Sequence, residues 1–345
     1  MSPNRGLETT GTDAPSRRDV LRWLALGCGT CMPMASAAAQ PPAARQDDRE
    51  PEKPGDLDEA AIRRRLEKLG LGPIVTARSP HYVAIGDAPP AFMKVIVDDC
   101  EQIAVDFMGH FRSRKFDLRL PEKPLLVVVY RDDRSFGKFF NLPSLLDAAA
   151  QGHPVQPAGV YEPSTNLLHV FDWRSVPMMA RSGHRNAETL SHEGTHQLSF
   201  NTGLLQRGKD IPLAIVEGLG AYGEARKTDG PSDLGRLNLK RLDDLAKIQR
   251  RIPWIPLRTL LADDTVLRVG RSDRVFLGYA ESWLLVHYLL KDPAAVPRFR
   301  NFLRAIATRE DPSRRLDDAA ATLGDLDVID QELRRYQVKL QMSVR

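Results

Sequence analysis

The chain has 345 residues, 42% of them hydrophobic and 27% charged, with a formal net charge of +4. That length suits one large domain or two smaller ones, and the composition is ordinary for a globular protein. The slight excess of base, without a dense Lys/Arg run, argues against a nucleic-acid partner. No stretch is apolar for the 18 or more residues that a membrane helix requires.

Residues 1–39 read as an export signal. Arg17-Arg18 precede an apolar run from Trp23 to Ala35, and Ala35-Ser36-Ala37-Ala38-Ala39 supplies small residues for cleavage after Ala37 or Ala39. The adjacent arginines resemble a twin-arginine signal, which addresses folded proteins to export. A periplasmic or secreted protein is therefore expected. Cys28 and Cys31 lie inside the signal and leave with it, so Cys100 has no partner for an intramolecular disulfide. Gln40 to Asp56 is rich in Pro, Ala and charged residues and reads as a flexible linker.

One domain is expected over 57–345. Leu57 to Leu69 has apolar residues at helical spacing and stops at Gly70. Tyr82-Val83-Ala84-Ile85 is a short strand, and Pro90 to Phe111 is a helix by its periodicity. Leu125 to Tyr130 is continuous, β-branched and the strongest strand signal. Ser135 to Phe140 fits a short helix. AGVYEPSTNLLHVFD (158–172) carries two β-like runs around Glu162-Pro163-Ser164-Thr165-Asn166, a hairpin signature. From about 185 onward helical periodicity dominates. Strands first and helices later predict an α+β fold with an α/β part over 57–183 and a helical part over 184–345.

The chemistry concentrates in TLSHEGTHQLSF (189–200). On a helix, His192 and His196 share one face at i and i+4, so their imidazoles can hold one ion. Glu193 points beside that ion, where a base for a metal-bound water belongs. Asn186 suits the N-cap. Gly194 costs about 1 kcal/mol against alanine in a helix interior, which is easiest to understand if something approaches closely there. About twenty residues on, PLAIVEGLGAYGE (212–224) places Glu217 among Ile215, Val216 and Leu219. A carboxylate there is costly to bury unless paired or metal-bound. Two His and one Glu form a catalytic zinc set with a fourth position left open.

These motifs resemble the gluzincin zinc peptidases. With PAGVYEPSTNLLHVFD and GYAESWLLVHYLL (278–290), they are similar to the bacterial family called domain of unknown function 1570, grouped with peptidase MA-like proteins, over roughly residues 80–305. The resemblance implies a small mixed or antiparallel sheet packed on an active-site helix, followed by a mainly helical half. It implies Zn2+ on His192, His196 and Glu217, Glu193 as general base, and a peptide or protein substrate. Two positions depart from the family pattern: Gly194 stands where alanine is usual, and Ala221 where a second carboxylate is usual. The role of that carboxylate is then vacant or taken by another residue, and Glu224 is one candidate.

Tyr279 is a candidate to hydrogen-bond a developing oxyanion. His287, Tyr222 and a buried Tyr279 also have plain packing explanations. His169 and His184 precede the motif, and a fourth protein ligand would close the site, but their spacing gives no positive reason to expect one. Asp243-Asp244 and Asp263-Asp264 are expected to be solvated acidic pairs, lacking the spaced oxygen donors of a calcium loop. A catalytically silent zinc-stabilised envelope protein, or a hydrolase of a cell-wall amide, fits the same motif.

Overall fold

In the computed structural model, residues 57–144, 147, 159–176, 186–225, 234–268 and 272–344 are described. The expected signal, linker and His184 lie outside them. Helix α1 (Glu59–Lys68) is closed at both ends by its own sequence. Asp58 accepts the Ala61 N–H at 2.7 Å, and Gly70, at φ 68°, ends the helix. The Leu71 N–H then reaches the Leu66 carbonyl and the Gly70 N–H the Glu67 carbonyl, the paired bonds of a glycine-terminated helix.

Among the described residues five strands form one sheet: β1 (Val75–Arg78), β2 (Tyr82–Gly86), β3 (Leu125–Tyr130), β4 (Gly159–Glu162) and β5 (Leu167–Phe171), in spatial order β1-β2-β3-β5-β4. The fold is α+β and the sheet is mixed. Its centre, β2, β3 and β5, is parallel, and only the edge strands β1 and β4 pair antiparallel. The parallel centre follows from helix α2 (Pro90–Ser113), which carries the chain from β2 back to the start of β3. Helix α3 (Asp133–Phe140) follows β3.

Both faces of the sheet are covered, which is why β3 reads as an unbroken apolar run. Ala84, Val127, Val129, Leu168 and Val170 join one core with α2. Ile85, Val128, Tyr130, Leu167 and Phe171 join a second core with α1 and α3. His169 is wholly buried beside this second set, with its Nδ1 2.9 Å from the Tyr130 hydroxyl and its ring against Phe139 and Phe140.

Helix α4 (Asn186–Asn201) packs on β4, β5 and α2. It includes Asn186, expected as its cap, and the residues before it lie outside the described portion. The β4–β5 turn fixes its register. Asn166, at φ 61° in that turn, accepts the Tyr161 hydroxyl at 2.9 Å and the Asn201 amide at 2.7 Å. Gln197 donates to the Leu126 carbonyl at 3.0 Å.

Among the described residues eight α-helices follow: α5 (Leu213–Glu224), α6 (Leu239–Ile248), α7 (Leu257–Ala262), α8 (Thr265–Arg268), α9 (Ser272–Lys291), α10 (Ala295–Ala307), α11 (Arg315–Leu323) and α12 (Leu326–Ser343). Helix α5 lies between α4 and α9. Pro212 gives α5 no side-chain cap, so the Leu213 N–H bonds instead to Asp264 at 2.9 Å. Asp264 in turn receives Arg315 at 2.8 Å, and Arg315 also grips Asp210. Asp264 is thus a structural anchor rather than a solvated acid. No described helix is long and apolar enough to cross a membrane.

Glu281, on α9, is 1% exposed and accepts the Ile255 N–H at 3.2 Å. Burial holds its pKa well above the usual carboxylate range, outweighing that hydrogen bond. The stability it contributes is complete below its unfolded value of about 4.3 and is lost as pH rises toward the raised folded value. Glu281→Gln removes that loss. Melting temperatures of the two proteins should agree near pH 4.5 and diverge in favour of the variant by pH 8; parallel curves would show that the acid is not held protonated by burial.

Candidate metal centre

Helix α4 is polar yet enclosed. Thr189, Ser191, His192, Glu193, Thr195, His196, Gln197 and Ser199 are all buried, with Leu190 and Leu198 the fully enclosed apolar side chains among them. Burying such groups costs free energy unless each finds a partner. Thr195 bonds back to the Ser191 carbonyl at 2.6 Å, and Gln197 reaches β3. The histidines instead turn toward α5.

There His192, His196 and Glu217 converge. His192 Nε2 and His196 Nε2 are 3.0 Å apart, and Glu217 Oε2 lies 3.4 Å from the first and 3.7 Å from the second. An ion 2.0–2.1 Å from three donors at tetrahedral angles sets those donors about 3.3 Å apart. The observed triangle brackets that value. Glu217 Oε2 is buried without a hydrogen bond and faces the two imidazole nitrogens, so an ion shared by the three would satisfy it. Among the described residues, these three are the group of His, Cys, Asp or Glu side chains placed to share an ion.

Space for the triad is kept by Gly220, on the face of α5 one turn beyond Glu217. A Cβ there would lie 2.7 Å from His192 Nε2 and 2.7 Å from His196 Cε1. Gly223 similarly lets α5 approach Thr195 and the Ser191 carbonyl. Three glycines within one helix cost about 3 kcal/mol of intrinsic propensity. That cost is offset by the close approach they permit.

Charges reinforce the convergence. Burial raises the Glu217 pKa, but the two histidines overcome it and bring the value down to about 2. Burial favours a neutral His192, yet Glu217 and Glu224 hold its pKa well above the usual range. The site therefore attracts positive charge, as a proton or as a metal ion that displaces it. Glu193, 4% exposed, accepts the Tyr161 N–H of β4 at 2.8 Å. Burial pushes its carboxyl up, against the lowering effect of His192 and His196.

The vacancy expected at Ala221 is met from another turn. Ala221 is fully buried, and Glu224 Oε1 lies 2.8 Å from His192 Nδ1. The signal for this was the i, i+3, i+4, i+7 face of α5, which aligns Glu217, Gly220, Ala221 and Glu224. Sequence reasoning missed Arg241 and Asn238, which hold Glu224 from α6. Nothing in their local sequence marks them.

The other candidates divide. His169 sits with the core on the opposite face of the sheet and is no fourth ligand. His287 packs on Trp283, with Nδ1 2.9 Å from the Tyr336 hydroxyl, and burial lowers its pKa to about 4. Tyr222 bonds to His110 Nε2 at 2.9 Å and is structural. Tyr279 is 4% exposed, and its ring lies 5.7 Å from the Arg241 guanidinium carbon, which links it to Glu224. Gly194 is corrected: a Cβ there would meet Ile103 at 3.5 Å, an ordinary contact, so no close approach demands glycine.

Residues 186–312 match the family model described as protein of unknown function (DUF1570). The match begins with α4 and spans the triad, Glu224, Arg241 and Tyr279, but not the sheet that the resemblance also covered. No curated protein matches the chain.

The two glycines separate space from propensity. If the triad holds a metal, Gly220→Ala should leave the fold measurable by circular dichroism and reduce metal binding by about tenfold or more, because its methyl enters the triad. Gly194→Ala should keep the metal and raise stability by about 0.5–1 kcal/mol, read as a shift in the denaturation midpoint. Equal metal affinity in Gly220→Ala would contradict the cradle.

Proposed function

We propose that this chain is an exported zinc-dependent hydrolase of amide bonds, acting as a peptidase. The observation that carries the reading is the triangle of His192, His196 and Glu217, at separations suited to one tetrahedral ion, beside the buried carboxylate of Glu193. Two imidazoles and a carboxylate suit zinc. A zinc ion there would supply a Lewis acid for the scissile carbonyl and lower the pKa of a water toward about 7.

The chain's own residues do the rest. Glu193, held by the Tyr161 N–H, takes a proton from the attacking water and passes it to the leaving amine. Enclosure by α4, α5 and β4 keeps the carboxylates in a medium where charge interactions are strong. Tyr279 is assigned the oxyanion; its support is the Arg241 contact that ties its ring to the same cluster. The kinship with peptidase MA-like proteins rests on the motif resemblance, and the exported location on the signal pattern of residues 16–39. The alanine at 221 favoured a silent site, but the Glu224 bond to His192 takes away that support.

The test incubates zinc-loaded protein, and its Glu193→Gln variant, with a diverse peptide mixture read by mass spectrometry. Cleavage is expected from the wild type alone, with turnover in Glu193→Gln reduced at least 100-fold and zinc content unchanged. Tyr279→Phe should keep zinc and KM while lowering kcat. Zinc-loaded wild type that leaves every peptide intact would turn the assignment toward a cell-wall amide or a silent site.

A further inference from the structure

Glu224 is gripped from three sides. Its Oε1 faces His192 Nδ1 at 2.8 Å and receives Arg241 Nη2 at 2.5 Å, while its Oε2 receives Arg241 Nε at 3.1 Å and Asn238 Nδ2 at 2.8 Å. The Glu224 side chain is 7% exposed and that of Arg241 3%. The guanidinium fork contacts both oxygens, so the carboxylate is not free to rotate about its terminal bond. Asn238 is fixed in turn: its Oδ1 caps α6 on the Arg241 N–H at 3.1 Å, and its amide also reaches the Ala221 carbonyl at 3.3 Å. The start of α6 is thereby locked to the last turn of α5.

We propose that Arg241 is a positioning residue for the metal ligand His192, acting through Glu224. A carboxylate held in place accepts the Nδ1–H of His192, which fixes the tautomer and aims the Nε2 lone pair at His196 and Glu217. Without Arg241, Glu224 would be a buried anion with the imidazole and one amide as partners, and its oxygen would no longer be held toward the ring. Lysine offers a point charge in place of the fork and grips one oxygen less firmly. The same guanidinium lies against the Tyr279 ring, so one cation joins the ligand side of the site to the helix that carries the tyrosine.

A purely structural ion pair between α5 and α6 would stabilise the fold without selectively affecting the metal, and a double-variant cycle in zinc affinity tells the two apart. The full chain is stripped of metal and titrated with zinc against a chromophoric chelator, with folding checked by circular dichroism. Glu224→Gln and Arg241→Gln should each weaken zinc binding by about 10–100-fold. The double variant should bind no more weakly than Glu224→Gln alone, because the carboxylate through which Arg241 acts is already gone. Arg241→Lys should fall between wild type and Arg241→Gln, and it closes the same cycle if Arg241→Gln does not fold. Losses that multiply in the double variant, or single variants with wild-type affinity, would overturn the assignment. His192 is taken as a ligand from the metal-hydrolase reading. A chain that binds zinc in this pattern but cleaves nothing would remove the enzymatic half of that reading and leave Arg241 in its role.

Discussion

Enclosing a polar helix is the constraint on which the rest of the molecule depends. Helix α4 brings eight polar or charged side chains into the interior, and each must be answered there. On one side the answer comes from the sheet, through Gln197, Asn201 and the Tyr161 N–H. On the other it comes from α5, whose glycines let Glu217 and Glu224 reach the two histidines. Glu217 Oε2, between the two imidazoles, is left without a hydrogen bond, as are Gln197 Oε1 and Ser199 Oγ on α4 itself.

Support around the centre is layered. The hairpin turn sets the position of α4 along the sheet, α9 backs α5, and α6 restrains Glu224. Close packing carries this order: a Cβ at Gly218 would lie 2.5 Å from the Ser282 carbonyl of α9. A small displacement of α5 would be felt at once by both neighbours, because interiors at this density do not deform continuously.

Much of this was legible in the sequence where a local rule applied. The apolar β-branched run of β3, the hairpin around Asn166 and the glycine end of α1 each carry their own signal. So did the convergence of His192, His196 and Glu217, because the two histidines are joined by helical spacing and Glu217 is conspicuous among aliphatic neighbours. What escaped was decided by partners distant in the chain. Strand β1 (VTAR) is short, partly exposed and polar in pattern, so nothing local separates it from a loop. The parallel centre depends on where α2 returns the chain. Asp264 looked like a surface acid because its two roles, capping α5 and receiving Arg315, involve residues 51 positions away on either side. Gly194 shows the reverse: a glycine that invites a reason, and whose surroundings supply none.

The borrowed cap of α5 bears on the order of assembly. The helix that supplies Glu217 has its first N–H satisfied by Asp264, and Asp264 is secured by Arg315 at the start of α11. A chain made from its N-terminus has both histidines in hand before Asp264 emerges, and well before Arg315. The candidate site is therefore complete only when residues far along the chain have joined it. Long-range closure of this kind slows folding, and it makes the completed centre a report that the C-terminal helices have docked.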